Sequence, residues 1–334
     1  MRARVLYITI AATTAAACES PRAICDVALD VCRKAEDLAY IASAQLGDET
    51  ATGNAIIGDA GALQAPGKVS VAVRVSGVRR ASPLVSGTVL ANGAAQGSAF
   101  GVERGTATAL SIDVAAGALP GFRVGESRVG SVDILLGASP SIARDRGDIR
   151  VKAGGVRTAL SAGLRVGLLS DAGASPALSL TGIARVLPPY ELTLAPMQTS
   201  DGGTARIQMD TVAISTVGVR LAASKRFGRL GLTGGLGRDR YRSRVSYNVF
   251  VDGPNGSGEY GQTRTVFKIS RNTAFAGATW AVSPRAAVSA ELGRVFGGTT
   301  SPTINTLGSQ PANAARGFLT VGMTLRTGRT VGQD

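Results

Sequence analysis

The sequence predicts an all-β fold, a closed antiparallel β-barrel that spans a membrane, with one short N-terminal helix. Three observations carry that prediction. Beyond residue 65, apolar and polar residues alternate with a period of two, the side-chain period of a strand. Several alternating runs exceed ten residues; soluble strands centre on about five or six, whereas a tilted strand needs about 9–11 to cross a bilayer. The connections alternate between tight and long, "SDAGASP", "SKRFGR" and "VSPR" against "LPPYELTLAPMQTSDGG", "DGPNGSGEYGQ" and "GGTTSPTINTLGSQPANAARG". Tight turns on one rim and long loops on the other suit a membrane barrel, and closure satisfies every backbone group within lipid.

The chain opens with Arg2 and Arg4, an apolar run from Val5 to about Ala12, and Ala15-Ala16-Ala17. This is the plan of a secretory signal over 1–17 with an A-x-A cleavage site. Cys18 follows directly, as in a lipobox, which makes it a candidate for lipidation, although Ala15 stands where such signals usually carry Leu. Residues 18–64 read as a helical and linker segment. Ile24, Val27, Ala28, Val31, Ala35, Leu38, Ile41 and Ala42 recur every three or four positions, as on one face of a helix. On that helix Cys25 and Cys32 lie about 10 Å apart along the axis, beyond disulfide reach, and read as small buried residues. A Cys18–Cys25 bridge stays open if the Cys18 segment is not helical. After the signal, no uncharged apolar run is long enough for a transmembrane helix.

The barrel is expected over 65–326, with a tail at 327–334. Ten or eleven runs are clear, from "KVSVAVRVSG" to "GFLTVGMTLR". The cleanest is "GVRTALSAGLRVGLLS", where Val156, Leu160, Leu164, Val166 and Leu168 share one face and Arg157, Ser161, Gly163 and Arg165 the other. "PLVSGTVLAN" or "GNAIIGDAGAL" can supply more, and bacterial barrels use even numbers. About twelve strands are therefore expected, with ten the next count. Aromatic residues are sparse; Tyr241, Tyr247, Phe250, Tyr260, Phe267, Phe275, Trp280, Phe296 and Phe318 gather in the last third near expected strand ends, where interfacial girdles belong.

Lys and Arg total 36 against 23 Asp and Glu, and there is no histidine. Ser-His-Asp and Cys-His chemistry are excluded, and the commonest metal ligand is missing. A basic balance suits anionic lipid, acidic solutes or nucleic acid. Arginines spread singly over many strands, with few aromatics to stack bases, argue against nucleic acid.

The most basic stretch, "GRDRYRSRVSYNVFV", puts Arg238, Arg240, Arg242 and Arg244 on one face of a strand. Charge facing lipid at mid-bilayer costs about 2–4 kcal/mol. With branched residues assigned to lipid, the lumen is expected to hold Arg157, Arg165, Arg185, Arg206, Arg220, the four ladder arginines, Arg264, Lys268 and Arg326, with Asp113, Asp133, Asp210 and Glu291. Three roles fit this set. It can line an anion-attracting pore by field focusing. Its arginines can pair with its acids and plug a narrow barrel. Or the upper ladder can lie beyond the bilayer, against lipopolysaccharide phosphates. "GLTGGLG" (231–237) lacks the Lys-Ser/Thr of a phosphate loop and leads into a strand, so its glycines suit a sharply coiled barrel strand. No enzyme constellation, cofactor site or metal site is expected.

The signal, the alternating strands and the unequal connections resemble the bacterial outer-membrane β-barrel superfamily over about 65–326. The resemblance implies export to the outer membrane of a Gram-negative-type bacterium, surrounding lipid and lipopolysaccharide, and the barrel-assembly machinery as a partner. "GNAIIGDAGALQAPGKVSVAV" is also similar to the small-residue entry before the first strand in long-chain fatty-acid transporters, with Asn54-Ala55-Ile56 where that family often carries Asn-Pro-Ala. That likeness implies a helical hatch, about 22–46, inside the barrel and hydrophobic acids as cargo. The expected function is a porin-like barrel, or one carrying small solutes or lipid, with a basic lumen that admits anionic solutes. The alternatives are a non-conducting structural or envelope-binding barrel and a secreted or lipid-anchored β-rich binding domain.

Overall fold

The structure, a computed structural model, describes residues 29–51, 53–90, 100–142, 148–152, 156–254, 256–297, 306–307, 310–311 and 314–327. The signal, Cys18, Cys25 and residues 328–334 lie outside the described residues.

Ten strands form the wall: β1 (Val69–Leu84), β2 (Gly101–Leu119), β3 (Ser131–Ile142), β4 (Val156–Leu169), β5 (Ala177–Val186), β6 (Thr204–Phe227), β7 (Leu230–Gly253), β8 (Gly256–Ala281), β9 (Ala286–Val295) and β10 (Arg316–Arg326). Each pairs antiparallel with its sequence neighbours, and β1 pairs with β10 from Ser70↔Arg326 to Val78↔Phe318, which closes the ring. The count is the lower of the two expected. "PLVSGTVLAN" yields the end of β1 and a two-residue strand, Val89–Leu90, that pairs with Met197–Thr199 outside the ring. "GNAIIGDAGAL" forms no strand; it runs inside the barrel.

The outer surface settles the solvent question. Val75, Ile112, Leu136, Leu164, Val219, Leu236, Leu292 and Leu319 all point outward and are exposed. Such residues continue round the whole ring, and an apolar band of that extent on a closed sheet belongs in hydrocarbon. Among the described residues, no helix is long and apolar enough to cross a membrane; the crossing is made by strands. Both ends of the ring and the tight turns at 228–229 and 282–285 share one rim, and the long connections after β1, β3, β5 and β9 share the other; "DGPNGSGEYGQ", expected as a long loop there, is instead mostly strand, with β7 and β8 paired as far as Gly253↔Gly256. By the architecture of such barrels the long-loop rim is the outer one.

Strands β6, β7 and β8 are 24, 24 and 26 residues long, roughly 80 Å measured along the chain. A crossing uses less than half of that, so their upper parts stand above the apolar band. Loop segments cover this upper region. Tyr190–Leu194 pairs with both β6 and Ile149–Lys152. Asp148 joins three connections: its carboxylate accepts from the Val85 and Ser86 backbone N–H groups and the Ser86 hydroxyl, and its carbonyl accepts from Ala195 N–H. Those donors, the Ser86 backbone N–H first, hold its carboxyl below the usual carboxylate range.

Helix α1 (Leu29–Ala51) lies inside the ring. It is buried on nearly every side, polar positions included, as suits a helix enclosed by a wall. Its Val31, Ala35, Leu38 and Ile41 pack with Ile207, Met209, Val212, Val245, Val249 and Ile269 of the tall strands and with Leu187, Leu194 and Met197 of the covering loop. Cys32 is disulfide-bonded, which corrects its reading as an unpaired small buried residue.

The aromatics correct a second expectation. Tyr241, Tyr247, Phe275 and Phe318 are buried in the interior, not gathered in a girdle. Trp280, Phe227 and Phe122 are exposed at the tight-turn rim, and Phe296 at the other. The glycines of "GLTGGLG" make room for such interior groups. A Cβ on Gly235 would fall on the Phe275 ring, and one on Gly237 on the Arg220 side chain.

Leu164 stands in the middle of the outward row of β4, 53% exposed. Leu164→Arg should lower folding stability in phospholipid vesicles by about 2–4 kcal/mol, read as a lower urea midpoint; a wild-type midpoint would remove the hydrocarbon assignment of that face.

Candidate functional site: the plugged lumen

The interior divides into two zones. The outer half is the apolar core around α1. The inner half, toward the tight-turn rim, is built of arginines, acids and hydroxyls, and through it runs the irregular segment 53–66. Strand periodicity explains the supply: positions alternating with outward valines and leucines point inward, and in the inner half these are Arg74, Asp113, Asp133, Arg165, Arg185, Arg220 and Glu291.

Charged wall residues first meet one another. Arg74 pairs with Asp113 at 2.8 Å, Arg165 with Asp133 at 2.7 Å and Arg220 with Asp239 at 2.6 Å, all six side chains buried. They then reach the plug. Arg220 donates to the carbonyls of Ala51 and Gly53, and Arg74 to that of Asn54. The Asn54 N–H donates to the Glu291 carboxylate. Thr233 and Thr279 donate to the Gly58 carbonyl. The Ala60 N–H meets the Ser224 hydroxyl, the Leu63 N–H the Asp133 carboxylate, and the Gln64 carbonyl the Arg128 guanidinium. Seven backbone groups between Gly53 and Gln64, in a stretch with neither helix nor sheet bonds, thus meet side chains of the barrel and its inner hairpin, as irregular backbone at membrane depth requires. Gly53 adopts a left-handed backbone (φ 80°), and a Cβ there would press on the Glu291 carboxylate.

The end of α1 carries a junction of three side chains on one carboxylate. Asp48 is fully buried between Arg316 at 2.7 Å and Arg271 at 3.2 Å, and Tyr241 donates its hydroxyl to it at 3.1 Å. One turn earlier the Ser43 hydroxyl donates to that of Ser243, and Gly47 lets the Tyr241 ring lie against the helix, where a Cβ would collide with it. At the inner mouth Asp59 pairs with Arg326 at 2.6 Å. Arg185 is buried with neither terminal nitrogen bonded to a described partner.

The expected lumen set divides. Asp113, Asp133, Arg165, Arg185, Arg220, Glu291 and Arg326 point inward as expected, and Arg157 does so half-buried, over the Tyr190 ring. Arg238, Arg240, Arg242, Arg244, Arg264 and Lys268 point outward and are exposed, a correction to the basic-lumen assignment. Arg206 is also outward, against the Phe250 ring. Asp210 sits at a bulge in β6, takes Gln208 and Asn248 as donors, and pairs with no arginine among the described residues. The parity of β7 is set lower down, where Leu232 and Leu236 face lipid. The arginines continue that same row past the edge of the hydrocarbon, where outward charge is no longer costly. The intervening positions, Asp239 and Tyr241, face the lumen. Arg74, Asp239, Arg271, Arg316 and Asp48 were not among the expected site residues. For Arg74 the parity signal stood in the sequence, between Val73 and Val75.

No family model matches the chain, and no curated protein matches it. Among solved structures it is similar to the outer membrane protease OmpT from Escherichia coli, at 13% identity and TM-score 0.38, covering 78% of this chain and 97% of that one. It is similar to the translocator domain of autotransporter NalP from Neisseria meningitidis, at 14% identity and TM-score 0.38, covering 91% and 99%. Ail, the attachment invasion locus protein of Yersinia pestis, matches at 10% identity and TM-score 0.28, covering 79% and 100%. All three are bacterial outer-membrane barrels; they differ in activity.

Removing one partner from a buried ion pair leaves an uncompensated charge and costs about 3–5 kcal/mol. Asp48→Ala removes the acid that Arg271 and Arg316 share, so it should destabilise the folded barrel by about that order, read from urea unfolding in detergent. Asp48→Ala with an unchanged midpoint would show that the junction does not hold.

Proposed function

We propose that the protein is an outer-membrane barrel closed to solutes at rest, which binds the lipid surface of the envelope and does not serve as an open porin. The observation that carries this reading is the run of wall-to-plug bonds from Ser43 to Gln64, which occupies the lumen along its length. Ten strands enclose more room than short side chains fill, and here the chain's own N-terminal segment takes it up. Arg74, Arg165, Arg220 and Arg316 are spent on Asp113, Asp133, Asp239 and Asp48, so these four are not free to draw anions through, and Arg185 is walled in beside them. The same pairing favours binding over catalysis, since it leaves none of these four carboxylates free to act as an acid or base.

The surplus positive charge lies outside. Arg238, Arg240, Arg242 and Arg244 stand on β7 with Lys268 and Arg264 on the facing row of β8, above the leucines of the belt. A diffuse basic face at that height suits the phosphate-bearing surface of the outer leaflet. A transport role would require the plug to leave, and the Asp48 junction is the place where it would be released.

In planar bilayers the full-length protein should show no channel steps. Asp48→Arg, which sets a third cation against Arg271 and Arg316, should produce them. Steady conductance by the wild type would overturn the closed-barrel reading.

A further inference from the structure

The wall is not evenly paired. β1 is bonded to β2 as far as Leu84↔Gly101, but to β10 only as far as Val78↔Phe318. Above that level, Arg79–Leu84 has a neighbouring strand on one side alone among the described residues. A cleft of about 680 Å³ opens there. Among the described residues, five arginines line it, Arg79, Arg80, Arg104, Arg294 and Arg316, and no acid does; the remaining lining is glycine, alanine and threonine.

The height of the cleft identifies its surroundings. Along the outward row of β1, Arg79 follows Val73 and Val75; on β9, Arg294 follows Val288 and Leu292. Both arginines therefore stand at the outer edge of the apolar belt, where lipid headgroups begin. Small residues leave the guanidinium forks approachable, and that fork matches the oxygens of a phosphate in two-point contact. The floor of the cleft is the junction that holds the plug. Arg316 lines the cleft and binds Asp48 at 2.7 Å, Arg80 lies 3.6 Å from Glu49, and Arg271 donates to the carbonyl of Ala314 in the lining.

We propose that this cleft binds the phosphate of an outer-leaflet lipid headgroup, which enters sideways through the wall and competes with Asp48 and Glu49 for Arg316 and Arg80. Arg79, Arg104 and Arg294, exposed on the outward rows, meet the headgroup first. The competition rests on the closed-barrel reading; the binding itself does not.

The test uses full-length protein in detergent, with lipid A bearing two phosphates, its dephosphorylated form and inorganic phosphate as probes, and native mass spectrometry as readout. Wild type should hold one tight adduct of phosphorylated lipid A. R79A/R104A/R294A should weaken that adduct at least tenfold. R238A/R240A/R242A, on β7 and two strands away from the cleft's β9 edge, should leave it within threefold while reducing weaker additional adducts. Each variant is checked for folding by its heat-modifiable gel migration. Dephosphorylated lipid should bind wild type no better than phosphorylated lipid binds the cleft variant. The site is overturned if the cleft substitutions leave the adduct unchanged or if both triples weaken it equally. Inorganic phosphate displacing lipid at equal concentration would assign the cleft to a free anion and overturn the lipid source. Channel steps in the wild type would remove the competition and leave the lipid adduct standing, so the two readings fail separately.

Discussion

An irregular stretch of chain can cross a membrane only if something other than water takes its hydrogen bonds. In this barrel the wall does so, and the rest of the structure follows from that. Residues 53–66 present carbonyls and N–H groups that no helix or strand satisfies; Arg74, Arg128, Arg220, Ser224, Thr233, Thr279, Asp133 and Glu291 take up seven of them. The dependence runs both ways. Six buried wall charges in three pairs are poor sources of stability by themselves, because the cost of drying them offsets much of their attraction. Their remaining donors and acceptors need partners, and the plug's backbone supplies them. Arg220 shows the arrangement in one residue: it is 1% exposed, paired with Asp239, and bonded to two plug carbonyls.

The two zones of the interior then have separate roles. The outer half behaves as an ordinary apolar core, with α1 as its centre and the tall strands and the 187–199 loop as its shell. Its grip on the helix is non-directional. The inner half fixes register, because each bond there requires a particular atom at a particular height. Asp48 sits at the boundary and belongs to both, on the helix yet held by arginines of β8 and β10. The outside repeats the division: valine and leucine in the belt, arginine immediately above it. The lumen is thus filled by the plug and the outer rim is basic, the two features on which the proposed binding role rests.

Much of the wall was legible because alternation is local. The clearest runs are the strands, and the outward valines and leucines of β1, β2, β4 and β10 can be assigned from parity alone. The ladder on β7 misled for a physical reason: the cost of lipid-facing charge applies only within the hydrocarbon, and β7 extends far beyond it. Leu232 and Leu236, of the same parity as Arg238, carried the correct phase. The strand count ran high because apolar residues of "GNAIIGDAGAL" read the same whether they face lipid or a lumen. The likeness of that stretch to a transporter entry implied an internal helix, and α1 is internal. The contacts that hold it, Ser43 to Ser243 or Asp48 to Arg316, join residues more than 190 positions apart, and nothing local specifies such pairs. The disulfide at Cys32 was hidden because the periodic run carried both Cys25 and Cys32 onto one expected helix.

The central claim is that the wall holds the plug as firmly as it holds itself, and hydrogen–deuterium exchange on the full-length protein in lipid nanodiscs reads this directly. Amides of residues 41–63 should exchange as slowly as those of β6 and β7 in the belt. Rapid exchange across 41–63, with the strands still protected, would contradict the account.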